Sequence, residues 1–195
     1  MPIPDKMRPW LSCAIAISVG VLSVPVNATS YLPVTFDDLV KQADVIFVGD
    51  VVDARAFTLR TRRNTLVKTR VTFRVSDSLY GTTSIVEVFD FLGGEADGIG
   101  MAVAGMPTFR VGDRRIVFAH RRSSINPIVG FTQGLLQVRR DTNGIDRVLT
   151  LEGAPLTRTE SIGSSPRMSL DTNLSMRLSD FRDRVARALA EEHKP

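Results

Sequence analysis

Two stretches decide the fold. The first is Asp44-Val45-Ile46-Phe47-Val48-Gly49-Asp50-Val51-Val52-Asp53-Ala54-Arg55-Ala56-Phe57, and the second is residues 66–78, LVKTRVTFRVSDS. In the second, Val67, Thr69, Val71, Phe73 and Val75 fall on one side and Lys68, Arg70, Thr72 and Arg74 on the other. A period of two with charges on one side is a half-buried strand, polar side outward. The first is crowded with Val, Ile and Phe, and Gly49 in its middle predicts a bulge or a sharp bend. A long strand that bends to serve both sides of a closed sheet favours a small barrel over a sandwich.

The flanking sequence continues the β pattern. Residues 84–92 alternate, with Ile85, Glu87, Phe89 and Phe91 against Val86, Val88 and Asp90. Residues 93–101 (GGEADGIGM) read as a glycine-rich inter-strand loop, with a short edge strand over Met101–Ala104. After a turn at Val111-Gly112-Asp113, Arg114–His120 is a strand, and 128–138 is one bent strand or a tight hairpin. The Asn-Gly pair in Asp141-Thr142-Asn143-Gly144 signals a hairpin that 145–151 completes. Upstream, Thr35 reads as the N-cap of a short helix over 36–42, with Asp37 and Asp38 complementing its dipole. Residues 153–173 turn to Gly, Pro, Ser, Thr and Asn and read as a flexible loop or linker. Ser179 reads as the N-cap of a final amphipathic helix whose apolar stripe is Phe181, Val185, Ala188 and Leu189. The expectation is a mainly β protein: a closed barrel of five or six strands within 29–152, a short N-terminal helix, and a C-terminal helix within 174–195.

Residues 1–28 read as an address. Lys6 and Arg8 precede the uncharged run Trp10–Val24, and Pro25-Val26-Asn27-Ala28 places small residues where a signal peptidase cuts. The run is shorter than the ~20 residues a membrane span needs. The expectation is a cleaved secretory signal and an exported protein, periplasmic or extracellular. The chain has 195 residues, of which 43% are hydrophobic, so wholesale disorder is excluded. Its one cysteine, Cys13, goes with the signal, so the exported protein is held by packing alone, without disulfides.

Little in the sequence points to catalysis. No nucleophile motif or metal-ligand spacing occurs, and no catalytic residue, metal or cofactor is expected. His120 lies at a strand end beside Arg121 and Arg122 and reads as a rim residue; the rival reading is a hydrolase base without an obvious partner. Glu95 and Asp97 in the glycine-rich loop supply only two carboxylates, short of the six to eight oxygens calcium takes. The formal net charge of +4 is nearly all arginine, clustered at Arg60, Arg62, Arg63, at Arg114, Arg115, Arg121, Arg122, and at Arg139-Arg140. A cationic barrel is able to bind single-stranded nucleic acid or an anionic surface, which is the alternative function. That mode needs outward aromatic platforms, whereas Phe73, Phe89, Phe91 and Phe118 sit in apolar alternation. The arginines therefore read as solvated loop charges, and no nucleic-acid partner is expected.

Three stretches carry a resemblance: Ala43–Val51, Lys68–Val75 with Leu79-Tyr80-Gly81-Thr82, and Phe109-Arg110-Val111-Gly112-Asp113-Arg114-Arg115-Ile116-Val117-Phe118. Together with the lead-in Ser30-Tyr31-Leu32-Pro33-Val34, they are similar to the netrin-type module, the OB-like barrel of the tissue inhibitors of metalloproteinases. The sequence also resembles a group of exported bacterial proteins with such a barrel, in its 93–95 loop and 107–112 turn. The likeness covers roughly residues 30–138. It implies a non-enzymatic protein-binding module whose partner is an exported zinc metalloprotease. In the animal inhibitors a disulfide-pinned N-terminal cysteine grips the protease zinc. Here cleavage after Ala28 leaves Thr29 first, with no cysteine to pin it. The candidate contact residues are Thr29, Ser30, Tyr31, Leu32 and Pro33, followed by Glu95 and Asp97.

Overall fold

A computed structural model describes residues 32–163 and 172–192. The expected signal 1–28, the candidate residues Thr29, Ser30 and Tyr31, and residues 164–171 and 193–195 lie outside the described residues. The chain order is α1 (Phe36–Gln42), β1 (Val45–Arg60), β2 (Thr65–Tyr80), β3 (Val86–Leu92), β4 (Gly94–Ala96), β5 (Ile99–Met101), β6 (Arg114–Ala119), β7 (Leu135–Arg140), β8 (Asp146–Leu149) and α2 (Leu178–Glu192), with single 3-10 turns at Thr159–Ser161 and Thr172–Leu174. Thr35 caps α1 as expected, its hydroxyl accepting from the Asp38 N–H at 3.1 Å. The C-terminal helix begins at Leu178, one residue before the expected cap Ser179.

Six strands form one antiparallel sheet in the order β3-β2-β1-β6-β7-β8, and β4 pairs with β5 in a separate hairpin. β1 is central, pairing with β2 over Ile46–Arg60 and with β6 over Val45–Asp50. Its register against β2 slips between Val48 and Gly49, which is the bulge Gly49 predicted. Alternation along β2 is as read: Val67, Val71 and Phe73 are buried while Arg70 and Arg74 are exposed. Glu87 on β3 shares the buried side with Phe89 and Phe91. Its carboxylate is met there by the Thr82 hydroxyl and by Arg121, whose Nη2 also donates to the Gly81 carbonyl at 2.7 Å.

The first half of β1 is buried on both faces. On one side Ile46 and Val48 join Ile116, Phe118 and Leu136 beneath α1 and α2. Phe36, Phe118 and Phe181 meet there edge to face, with centroids 5.7 to 6.4 Å apart. On the other side Val45, Phe47 and Val117 join Phe73, Phe89 and Phe91, with Phe109 packed against them. A strand covered on both faces reads as a continuous apolar run, as Val45–Val48 does.

The expected closed barrel is not formed. The sheet is open, with β3 and β8 at its ends. The reason lies in what occupies those edges. The free edge of β8 is taken by the returning chain: Val148 N–H donates to Met176 O at 2.9 Å, and Leu149 bridges Pro155. Along β3, Leu92 N–H is met by Ile125 O at 2.8 Å, from the loop after β6. The edge of β8 is thereby satisfied by passing chain and has no ladder left to offer across a seam, while β3 is met only at its Leu92 end. Of the 153–173 stretch, Leu156 and Ile162 are buried in the core under the helices.

Replacing Phe118 with Ala is expected to cost about 3–5 kcal/mol, because the ring is fully buried among two other rings and the sheet. The urea midpoint should fall accordingly, while Leu32→Ala, at a residue 87% exposed, should leave it in place.

Candidate functional site

The N-terminal strap is held by one side chain. The strap runs from Leu32 into Thr35, and both Leu32 and Pro33 are exposed. Val34 N–H donates to Gln133 Oε1 at 2.8 Å, and Gln133 Nε2 donates to Leu32 O at 3.0 Å and to Gly130 O at 3.3 Å. One amide thus satisfies a donor and an acceptor of the strap, as a paired strand would. Gln133 sits in the turn between Val129 and Gly134 that links β6 to β7. Phe131 in that turn holds a left-handed φ of 67°, rare for an aromatic residue. The backbone of Gly163 lies so close that a Cβ there would fall 2.3 Å from Gln133 Oε1.

The 93–101 stretch, expected as a loop, is a hairpin. Asp97 and Gly98 have φ of 53° and 74°, the left-handed pair that a two-residue turn requires, so the Asp-Gly dipeptide was the signal for it. Asp97 Oδ2 accepts from Thr58 Oγ1 at 2.6 Å and ties the tip to β1. Gly94 lies flat against the long hairpin; a Cβ there would meet Thr69 Oγ1 at 2.5 Å and Ala56 Cβ at 3.1 Å. Glu95 is exposed on β4. Beside the hairpin is an apolar cleft of about 360 Å³ lined by Phe91, Met101, Val103, Met106 and Phe109. Strap and hairpin are held by different elements, and none of the hydrogen bonds of one reaches the other. Among the described residues no three His, Cys, Asp or Glu side chains converge as a metal site. His120 follows β6, and its N–H donates to Pro127 O at 2.8 Å.

The arginine clusters divide. Arg60, Arg62 and Arg63 are exposed around the β1–β2 turn, as solvated charges are. Arg114 and Arg140 converge on Asp146, at 2.6 and 3.0 Å. Arg115 is buried and pairs with Asp113 at 2.7 Å, which its place on the β6 side shared with Val117 foreshadows. Burial works to raise the Asp113 carboxyl, but the Arg110 backbone N–H and the Arg115 guanidinium outweigh it and hold the group below the ordinary carboxylate range. Asp146 is likewise lowered, its two arginines overcoming burial. Asp141 is lowered chiefly by the Ile145 N–H, with Arg147 and the Asn143 N–H adding to it. Sequence reasoning passed over the Gln133 clamp, because nothing local links positions 32 and 133. No family model matches the sequence, and no curated protein matches it.

Gln133→Ala should speed hydrogen exchange at the Val34 amide strongly and cost about 1–2 kcal/mol in stability, since two strap groups lose their partner. The three lowered aspartates give a pH prediction. Their stabilisation is complete above the unfolded value near ~4 and is lost as pH falls through the lower folded values. The thermal midpoint should therefore stay level from neutral pH to about 5 and drop below about 4, with Asp146→Asn flattening the drop.

Proposed function

We propose that this chain is an exported, non-enzymatic protein-binding module with an OB-like, netrin-type sheet left open at its seam. Its N-terminal segment, with Thr29, Ser30, Tyr31, Leu32 and Pro33 as candidate contacts, meets a partner, and an exported zinc metalloprotease is the partner that the resemblance implies. The observation that carries the reading is the clamp of Gln133 on Leu32 and Val34, which supports an exposed segment without any disulfide. A loose segment loses ordering entropy when it binds; a segment held through two backbone hydrogen bonds loses less. Leu32, exposed and apolar next to the rigid Pro33, is suited to enter a partner's pocket. Glu95 and Asp97 on the hairpin would be a second contact, on a different element. Phe73, Phe89 and Phe91 lie inside the protein, which weighs against the nucleic-acid alternative, since stacking needs them outside.

The test uses the exported protein and the zinc proteases secreted by the same organism. Stoichiometric binding or inhibition is expected, weakened about tenfold or more by Leu32→Ala at unchanged stability. Absence of both binding and inhibition overturns the metalloprotease reading. Steeply salt-dependent binding of a single-stranded oligonucleotide would favour the alternative in its place.

A further inference from the structure

On the side of the sheet away from α1 and α2, the apolar core ends at a cation. Arg115 is one residue pair along β6 from Val117, 8% exposed, and stands opposite Gly49 on β1 and Gln137 on β7. Gly49 offers no side chain across the ladder, and the Gln137 amide is engaged by Leu151 O and Arg139 Nη2. Asp113 takes one nitrogen of the guanidinium, Nη2. Nε and Nη1 are shielded from solvent and have no acceptor among the described residues. A buried guanidinium carries five N–H donors, and leaving most of them unmet is costly unless something supplies acceptors.

Arg115 lines an open cleft of about 660 Å³, with Arg110 and Arg139 at its mouth and Asp113 and Glu152 as its acids. Three cations face two anions, so the cleft carries a surplus of one positive charge. We propose that this cleft binds a carboxylate, with Arg115 as its anchoring cation and Arg139 and Arg110 closing over the other oxygens. The ligand would take the N–H donors that Asp113 leaves unmet, while Nη2 stays on Asp113. A planar, singly charged carboxylate matches both the fork of an arginine and the surplus charge. A phosphate dianion would exceed that surplus and face Asp113 and Glu152 at close range. The carboxylate has two sources, a free small acid or an acidic side chain of a protein. The site is separate from the strap, so failure of protease binding leaves it standing.

The experiment titrates the purified exported protein with butyrate, with an acetylated and amidated hexapeptide carrying a single glutamate, and with inorganic phosphate, by calorimetry at low salt. Saturable binding of butyrate or the peptide is expected, with Kd below about 1 mM. It should be weakened about tenfold by Arg115→Lys, which keeps the charge and loses the fork. Arg139→Gln, at an exposed residue, should weaken it severalfold, and Arg122→Gln, outside the cleft, should leave it unchanged. Binding of butyrate assigns a free acid; binding of the peptide alone assigns a protein side chain. If Arg115→Lys does not fold, Arg139→Gln and the shift of the Arg115 Nε–H resonance on titration decide. The proposal is overturned by no saturable carboxylate binding, by phosphate binding as tightly, or by indifference to the Arg139 change.

Discussion

Everything in this molecule depends on burying Val45–Val48 on both faces at once. With no cysteine among the described residues, nothing but packing holds the chain, and β1 is the strand that both cores share. Phe47 faces one core, Ile46 and Val48 the other, and all are inaccessible to solvent. Two aromatic clusters grow from that strand, Phe36–Phe118–Phe181 under the helices and Phe47–Phe73–Phe89 on the opposite side. The Phe47–Phe89 pair is stacked and the others meet edge to face, and pairs of either kind add about 0.5–1.5 kcal/mol each beyond their buried area. The helices are therefore part of the core: α1 and α2 replace the water that would otherwise wet one side of the sheet.

A sheet built around such a strand has to manage its ends. β8 is covered by the chain around Pro155 and Met176, and the end of β3 is met by Ile125. On β8 those contacts spend on local cover the hydrogen bonds that closure would have needed. The open arrangement leaves the side of the sheet away from the helices accessible at its rim. Both clefts lie there, separated by the Met106–Thr108 segment that lines each of them. One is apolar, lined by Phe91, Met101, Val103 and Phe109, and one is charged, lined by Arg110, Arg115 and Arg139. The strap occupies another place, beside the β6–β7 turn, where Gln133 holds it by two hydrogen bonds.

Local pattern made much of this legible. Period-two alternation located β2 and β3 and showed which face of β2 turns inward, because β2 has one polar side and the pleat forces neighbours apart; on β3 the outward set holds Val86 and Val88 and the inward set Glu87, so polarity marks neither face. Thr35 gave the helix start, and Gly49 gave the bulge. Within the stretch expected as a loop, the Asp97-Gly98 pair is itself a hairpin signal that the sequence reading passed over, since such a pair tolerates the left-handed backbone that a tight hairpin needs. Arg115 carried a weaker signal, a charge in line with Val117 and Ala119 on a strand covered on both faces. The Gln133 clamp carried none, because its partners lie about a hundred residues away.

The sequence by itself determined a mainly β chain with a helix at each end, the side of β2 that faces inward, and a core free of disulfides. These follow from the spacing of apolar residues, and spacing acts over a few neighbours. Only the tertiary structure decided that the sheet stays open, that Gln133 grips the strap, and that Arg115 is buried beside a charged cleft. Each of those depends on which distant segment reaches a strand edge or a buried donor first, and hydrogen bonds between distant segments leave no period in the sequence.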